Sequence, residues 1–154
     1  MSEHEDQSLV WPNGEMVTVE SVEGYTEDAR VVAHPLDDAQ ILTPDWVISQ
    51  LTDVSRWAAR MPKLTAKAEA LKKDRKRELD AKRAQAVLDV AKYPVREHSA
   101  RVTLAIAEER RAYDRAAVAF EEARRVGNLL SDYTSRLQSI GKQVELVYRG
   151  EGRQ

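Results

Sequence analysis

Cysteine is absent from the chain. That excludes disulfides, thiolate nucleophiles and cysteine-based zinc sites, and it agrees with a cytoplasmic protein. Histidine is scarce. His4, His34 and His98 fall in a tail, at a strand end and at a helix start, and none forms an i, i+4 pair or a Glu-x-x-His pattern, so surface roles are expected and no metal site. The six glycines are dispersed and build neither G-x-x-x-x-G-K nor G-x-G-x-x-G, which leaves no phosphate loop and no cofactor. Glu108-Glu109 and Glu121-Glu122 are adjacent pairs, and adjacent residues on a helix do not face each other, so a carboxylate dyad is not formed. No run approaches the length of apolar chain that crosses a bilayer, and the acidic start MSEHEDQS lacks the apolar stretch of a secretory signal. These absences predict a protein that is not an enzyme, carries no cofactor and does not enter a membrane.

What is present is charge and alanine. The chain has 154 residues, the size of one domain, and is 42% hydrophobic and 32% charged with a single Phe. This is too apolar for disorder throughout and short of the bulk for a large private core. A long, thin helical protein that borrows core from copies of itself fits the balance. The net charge of −2 conceals an asymmetry: residues 1–53 hold twelve acids and one base, Arg30, whereas residues 54–154 hold fourteen acids and twenty-three bases. Such a split points to a polyanionic partner on the basic half, or to neutralisation of one half by the other within the fold or across an oligomer.

Residues 1–7 read as a disordered tail and 8–40 as a small β-hairpin or sheet with a linker. Residues 9–11 and 16–22 are β-rich and flank the turn signal Pro12-Asn13-Gly14, Val17 and Val19 alternate with polar residues, and 29–34 offers a third strand. Thr43-Pro44 starts a first helical arm over 43–92, with Thr43 as cap and Leu42 and Val47 at the staple positions. Its apolar stripe steps by threes and fours, and Pro62 predicts a kink or short break there, with Met61 displaced from helical geometry. Tyr93-Pro94 ends this arm, and a second arm follows over 95–148, with Gly127-Asn128 as one place where it can break. The fold class is therefore mainly α: a long, coiled-coil-like antiparallel α-helical hairpin with a small N-terminal β element, one domain in all. Trp57, Tyr113, Phe120, Leu130, Tyr133, Leu137 and Ile140 offer more apolar surface than a lone hairpin hides, and they are the expected homo-oligomer interface.

The stretch ALKKDRKRELDAKR, residues 70–83, has seven bases and three acids, with Leu71 and Leu79 eight apart. Two readings stand. As a solvated helix face, it is laced by Glu69–Lys73, Glu78–Lys82 and Asp80–Arg83 pairs at i, i+4 and i, i+3. As a nucleic-acid contact, it presents Lys72, Lys73, Lys76, Arg77, Lys82 and Arg83 to phosphate, with Lys72, Lys76 and Arg83 on one strip. Tyr93 between Lys92 and Arg96 adds an aromatic for base stacking, with packing over the hairpin end as its other role.

A helical hairpin with a basic first arm, a breaker and the apolar second-arm stretch NLLSDYTSRLQSIGKQVELVY resembles the UvsY-like recombination mediators of tailed phages, over about residues 64–148. The basic segment of that family is matched by Leu71-Lys72 with Arg75, or by Lys82-Arg83. More broadly the chain looks like a small helical phage early protein. The resemblance implies a homo-oligomer that binds single-stranded DNA in the cytoplasm of the host cell and works with a recombinase or a single-strand binding protein. The acidic N-terminal segment would then hold a protein partner or compete with DNA for the basic arm. The other function compatible with these residues is a structural or interaction protein, a coiled-coil scaffold, assembly factor or inhibitor that binds no nucleic acid.

Overall fold

The computed structural model describes residues 9–33 and 42–151, and in these the chain is mainly α. Helix α1 spans Val19–Val32, α2 Pro44–Asp89, α3 Val95–Ala105 and α4 Ala107–Glu151, with a 3-10 turn at Val90–Lys92 between α2 and α3. The tail expected over 1–7, and residues 34–41 with His34, lie outside the described residues.

The N-terminal segment departs from the expected sheet. Among the described residues the only β pairing is an isolated antiparallel bridge, Val10 with Met16. The turn over Pro12-Asn13-Gly14 forms, with Gly14 at φ +87°, a backbone conformation that costs glycine little. Beyond it, residues 19–22 and 29–32, expected as strand, belong to α1. Their valine content favours a strand, but the local capping chemistry favours a helix. Thr18 and Ser21 form a reciprocal capping box: the Ser21 N–H donates to Thr18 Oγ1 at 3.1 Å, and the Thr18 N–H donates to Ser21 Oγ at 3.0 Å. Val22, Thr26 and Ala29 then fall on one buried face at helical spacing. Trp11 locks the entry, donating from Nε1 to Ser21 Oγ at 3.0 Å and meeting the Tyr25 ring edge-on at 5.0 Å.

Helix α2 starts as its sequence dictates, with the Trp46 N–H donating to Thr43 Oγ1 at 3.2 Å and Pro44 in the first turn. It then runs unbroken through Pro62, and Met61 is helical and buried. Of the kink or short break expected there, the break does not occur. Pro62 is exposed while Met61 and Leu64 on either side are anchored in the core, so packing offsets the one lost backbone bond. The second arm does divide, but at Ile106 rather than at Gly127-Asn128. Ile106 sits at φ −103°, ψ 7° and ends α3, and α4 continues helical through both Gly127 and Gly141.

Helices α2 and α4 run side by side in opposite directions. Val47 lies beside Gly141, Gln50 beside Tyr133, Met61 beside Gly127, Lys72 over Phe120 and Lys82 beside Glu109, the α4 number falling as the α2 number rises. Helix α1 lies across both, tied to α4 by Glu20–Arg115 at 2.7 Å and by Arg30–Glu122. One large core gathers residues of α1, α2 and α4; a second, small one holds Leu79, Ala86 and Ile106 where only the distal arms meet.

This arrangement corrects part of the expected interface. Leu130 and Leu137 are fully buried and Tyr133 is 5% exposed, all in the chain's own core. They belong to the large core that residues of α1, α2 and α4 share. Burial also pushes the Tyr133 phenol up from its ordinary pKa. Trp57, Tyr113, Phe120 and Ile140 remain half-buried.

Two tests follow from the packing. A Cβ at Gly127 would lie 3.9 Å from Met61, an ordinary contact, so Gly127→Ala is expected to stabilise the protein by about 1 kcal/mol in urea denaturation. At Gly141 the same atom would come within 3.2 Å of Val47 Cγ1, and Gly141→Ala is expected to gain less than Gly127→Ala. The second test concerns Glu20. Its own backbone N–H at the start of α1 and then the Arg115 guanidinium hold its carboxyl below the ordinary value of 4.5. A depressed folded-state pKa stabilises above the unfolded value and stops doing so as pH falls through the folded one. The stability difference between wild type and Glu20→Gln should therefore be largest near neutrality and shrink to nothing in acid, as read by urea melts across pH.

Candidate nucleic-acid interface

The basic run 70–83 lies within α2, where Ala, Leu, Lys, Arg and Glu are all good helix formers. Leu71 and Leu79 are buried at 1% and 6%, and their spacing of eight turns both toward α4. The charged side chains are thereby left on the outside. Lys73 pairs with Glu69 at 2.8 Å, the one expected pair that forms. Glu78 takes Arg75 at 2.6 Å instead of Lys82, and Asp80 takes Lys76 at 2.5 Å instead of Arg83. Lys82 reaches across to Glu109 on α4 at 3.8 Å. Lys72 is half-buried with its ammonium 4.7 Å from the centre of the Phe120 ring.

The strip of Lys72, Lys76 and Arg83 is thus divided. Lys72 covers a ring, Lys76 has an acid, and Arg83 belongs to a cleft at the end of the arms. Arg77 and Arg83 have no acidic partner among the described residues. The pairs that do form are exposed, and exposed pairs contribute about 0–1 kcal/mol each, so a phosphate can replace the acid at little cost. Nor do the pairs remove the net field. Residues 72–111 carry twelve bases and seven acids, whereas 9–33, which include α1, carry five acids and one base. Positive charge is concentrated in residues 72–111 of the arms and negative charge in the segment that includes α1.

At the tip, the Tyr93 N–H donates to the Val90 carbonyl at 2.9 Å and closes the 3-10 turn. Tyr93 is 37% exposed, with one face of its ring occupied. The Arg101 guanidinium lies 3.7 Å from its centre, held there by Glu97 at 2.8 Å, and Lys92 stands at 5.4 Å. The face beneath Arg101 is closed to a base. Arg96 is exposed, with no acidic partner among the described residues.

Beside the tip is a cleft of about 580 Å³. The end of α2 contributes Arg83 and Val87, with Val90 just after it; α3 contributes His98, Ser99, Val102 and Thr103; Ile106 and the start of α4, with Arg110 and Arg111, complete it. One His98 ring nitrogen shares a hydrogen bond with the Tyr93 carbonyl at 2.7 Å, which fixes the ring at the cleft edge. Arg110 stands 4.0 Å from Asp114, and Arg111 has no acidic partner among the described residues. Neither arginine stands out in the sequence, because the cleft exists only where the chain breaks at Ile106. The available signal was the pair of adjacent arginines in EERR. Nearby, Glu109 Oε2 is buried without a hydrogen-bond partner, with Lys82 as its compensating charge.

Among the described residues, no group of three His, Cys, Asp or Glu side chains could hold a metal ion, and no helix is long and apolar enough to cross a membrane. In comparisons with known proteins, no family model, no curated protein and no solved structure matches the chain.

The geometry separates two kinds of lysine. Lys76→Ala should leave stability within about 0.5–1 kcal/mol of wild type, since its pair is exposed. Lys72→Ala removes a cation from a partly buried ring and is expected to cost about 1 kcal/mol or somewhat more. Thermal or urea melts of the two variants, side by side, check the difference.

Proposed function

We propose that the protein is a non-enzymatic, oligomeric accessory protein that binds single-stranded DNA through the distal half of a long helical hairpin. The observation that supports this best is the net positive charge of residues 72–111, twelve bases against seven acids, along two long helices. A polyanion releases counterions when such a surface meets it, and the exposed ion pairs can open toward phosphate. Lys73, Lys76, Arg77, Lys82 and Arg83 are the phosphate contacts, with Arg96 extending the track to the tip. Lys72 takes part through the exposed portion of its side chain. With Tyr93 under Arg101, contact is chiefly electrostatic and only weakly dependent on base identity. In keeping with the UvsY-like resemblance, the role is that of a mediator of phage recombination or replication in the host cytoplasm, acting beside a recombinase or a single-strand binding protein.

A second reading is a scaffold or interaction protein without nucleic acid. One observation favours it: α4 passes beyond its contact with Val47, and Leu146, Val147 and Tyr148 near its end are 70%, 57% and 50% exposed. Such a patch suits self-association, which both readings contain.

Fluorescence anisotropy with single- and double-stranded oligonucleotides across salt separates them. With about four phosphates neutralised per site, the slope of log K on log salt should be about −3 for single strands, a loss of roughly fifty-fold between about 50 and 200 mM. Replacing Lys76, Arg77 and Arg83 with Glu should abolish binding while circular dichroism and light scattering stay as in wild type. An assembled, folded protein that binds neither form of DNA at low salt would leave the scaffold reading.

A further inference from the structure

We propose that the cleft between the end of α2, α3 and the start of α4 is a receptor for a terminal phosphomonoester, the phosphorylated end of a single strand. This rests on the single-strand reading above and assigns one place within it.

Charge selects the ligand. Arg83, Arg110 and Arg111 line the same cleft of about 580 Å³, and of the three only Arg110 has an acid near it, at 4.0 Å. An internal phosphodiester brings a single negative charge. A terminal phosphomonoester brings nearly two at neutral pH and three acceptor oxygens, and guanidinium forks match such oxygens in pairs. Three arginines lining one cavity carry more positive charge than the first needs and suit the second.

Shape points the same way. The rest of the basic surface is the convex outside of a helix, which a continuous strand can track. The cleft is concave and of the size that encloses a small ligand rather than a passing backbone. Ile106, where α3 ends, is one of its lining residues. A chain end can enter such a cavity; a chain interior must bend in and out of it.

So does the floor. Val87, Val102 and Ile106 offer aliphatic surface to the sugar or base of the last nucleotide, and no aromatic residue lines the cleft apart from the imidazole of His98 at its edge. The nearby Tyr93 has Arg101 on its ring. The site is therefore poor as a stacking platform for interior bases, and its selectivity falls on the phosphate.

The test uses the full chain and one oligonucleotide sequence in three forms: 5′-phosphorylated, 3′-phosphorylated and hydroxyl at both ends. Anisotropy titrations are expected to show one phosphorylated form binding about tenfold more tightly than the hydroxyl form, the value of one charge-assisted hydrogen bond, and to identify which end is read. The preference should fall to a ratio near one in R110Q/R111Q, whose substituted side chains are exposed. It should fall likewise in T103W, which fills the cleft from α3 without removing a charge. Equal affinity for all three forms, with salt-dependent binding intact, overturns the cleft assignment and leaves the single-strand reading standing. A preference that survives in both folded variants also overturns it. No binding of any form removes both.

Discussion

The seam between α2 and α4 governs the rest of the molecule. Ala116, Ala119, Ala123 and Val126 on α4, with Leu64, Ala68 and Leu71 on α2, are all buried at 5% exposure or less. Small residues on one helix and larger aliphatics on the other allow two helices of 45 and 46 residues to remain in contact over much of their length. That continuous contact carries α2 through Pro62 and α4 through two glycines. Each interruption costs about 1–3 kcal/mol locally, less than the burial on either side supplies.

The seam is not uniform, and its two ends differ in chemistry. Near α1 three helices meet, the core is large, and the outer surface of α1 is acidic. Distally only the arms remain, the core shrinks to Leu79, Ala86 and Ile106 with Val102 and Tyr113 against it, and the surface is basic. A two-helix section has little interior, so nearly every charged side chain there stays in water. The charge segregation read along the chain thus becomes a segregation in space. Among the described residues the acids and bases of the two halves meet, between α1 and α4, at Glu20–Arg115 and Arg30–Glu122. Within the described residues the distal segment 72–111 keeps an excess of bases, twelve against seven acids.

Local ion pairing and net charge are separate matters on this surface. Of the twelve bases in 72–111, Lys73, Arg75, Lys76, Lys82, Arg101 and Arg110 have acids within ion-pair distance. Lys72, Arg77, Arg83, Lys92, Arg96 and Arg111 have none among the described residues. A pair lowers the local field without changing the sum, and at exposed sites it is weak enough to rearrange. A solvated face and a phosphate-binding face are therefore built from the same residues.

The sequence by itself determined the long helices, because threefold and fourfold apolar spacing, Thr43-Pro44 and Tyr93-Pro94 are local signals whose physics is complete within a few residues. It determined the buried phase of Leu71 and Leu79 for the same reason. Tertiary structure decided what local signals leave open. Residues 19–32, with four valines, became a helix because Thr18 and Ser21 cap it and Val22, Thr26 and Ala29 find a core to enter. Leu130, Tyr133 and Leu137 are buried in the chain's own core, which gathers residues of α1, α2 and α4 that only folding brings together. The partners of Asp80 and Glu78 depended on rotamers that spacing permits equally. The cleft of Arg83, Arg110 and Arg111 joins residues of three helices around an interruption at Ile106. No periodicity announces that interruption, since Ile106 falls in phase with the apolar stripe and is buried in the small distal core.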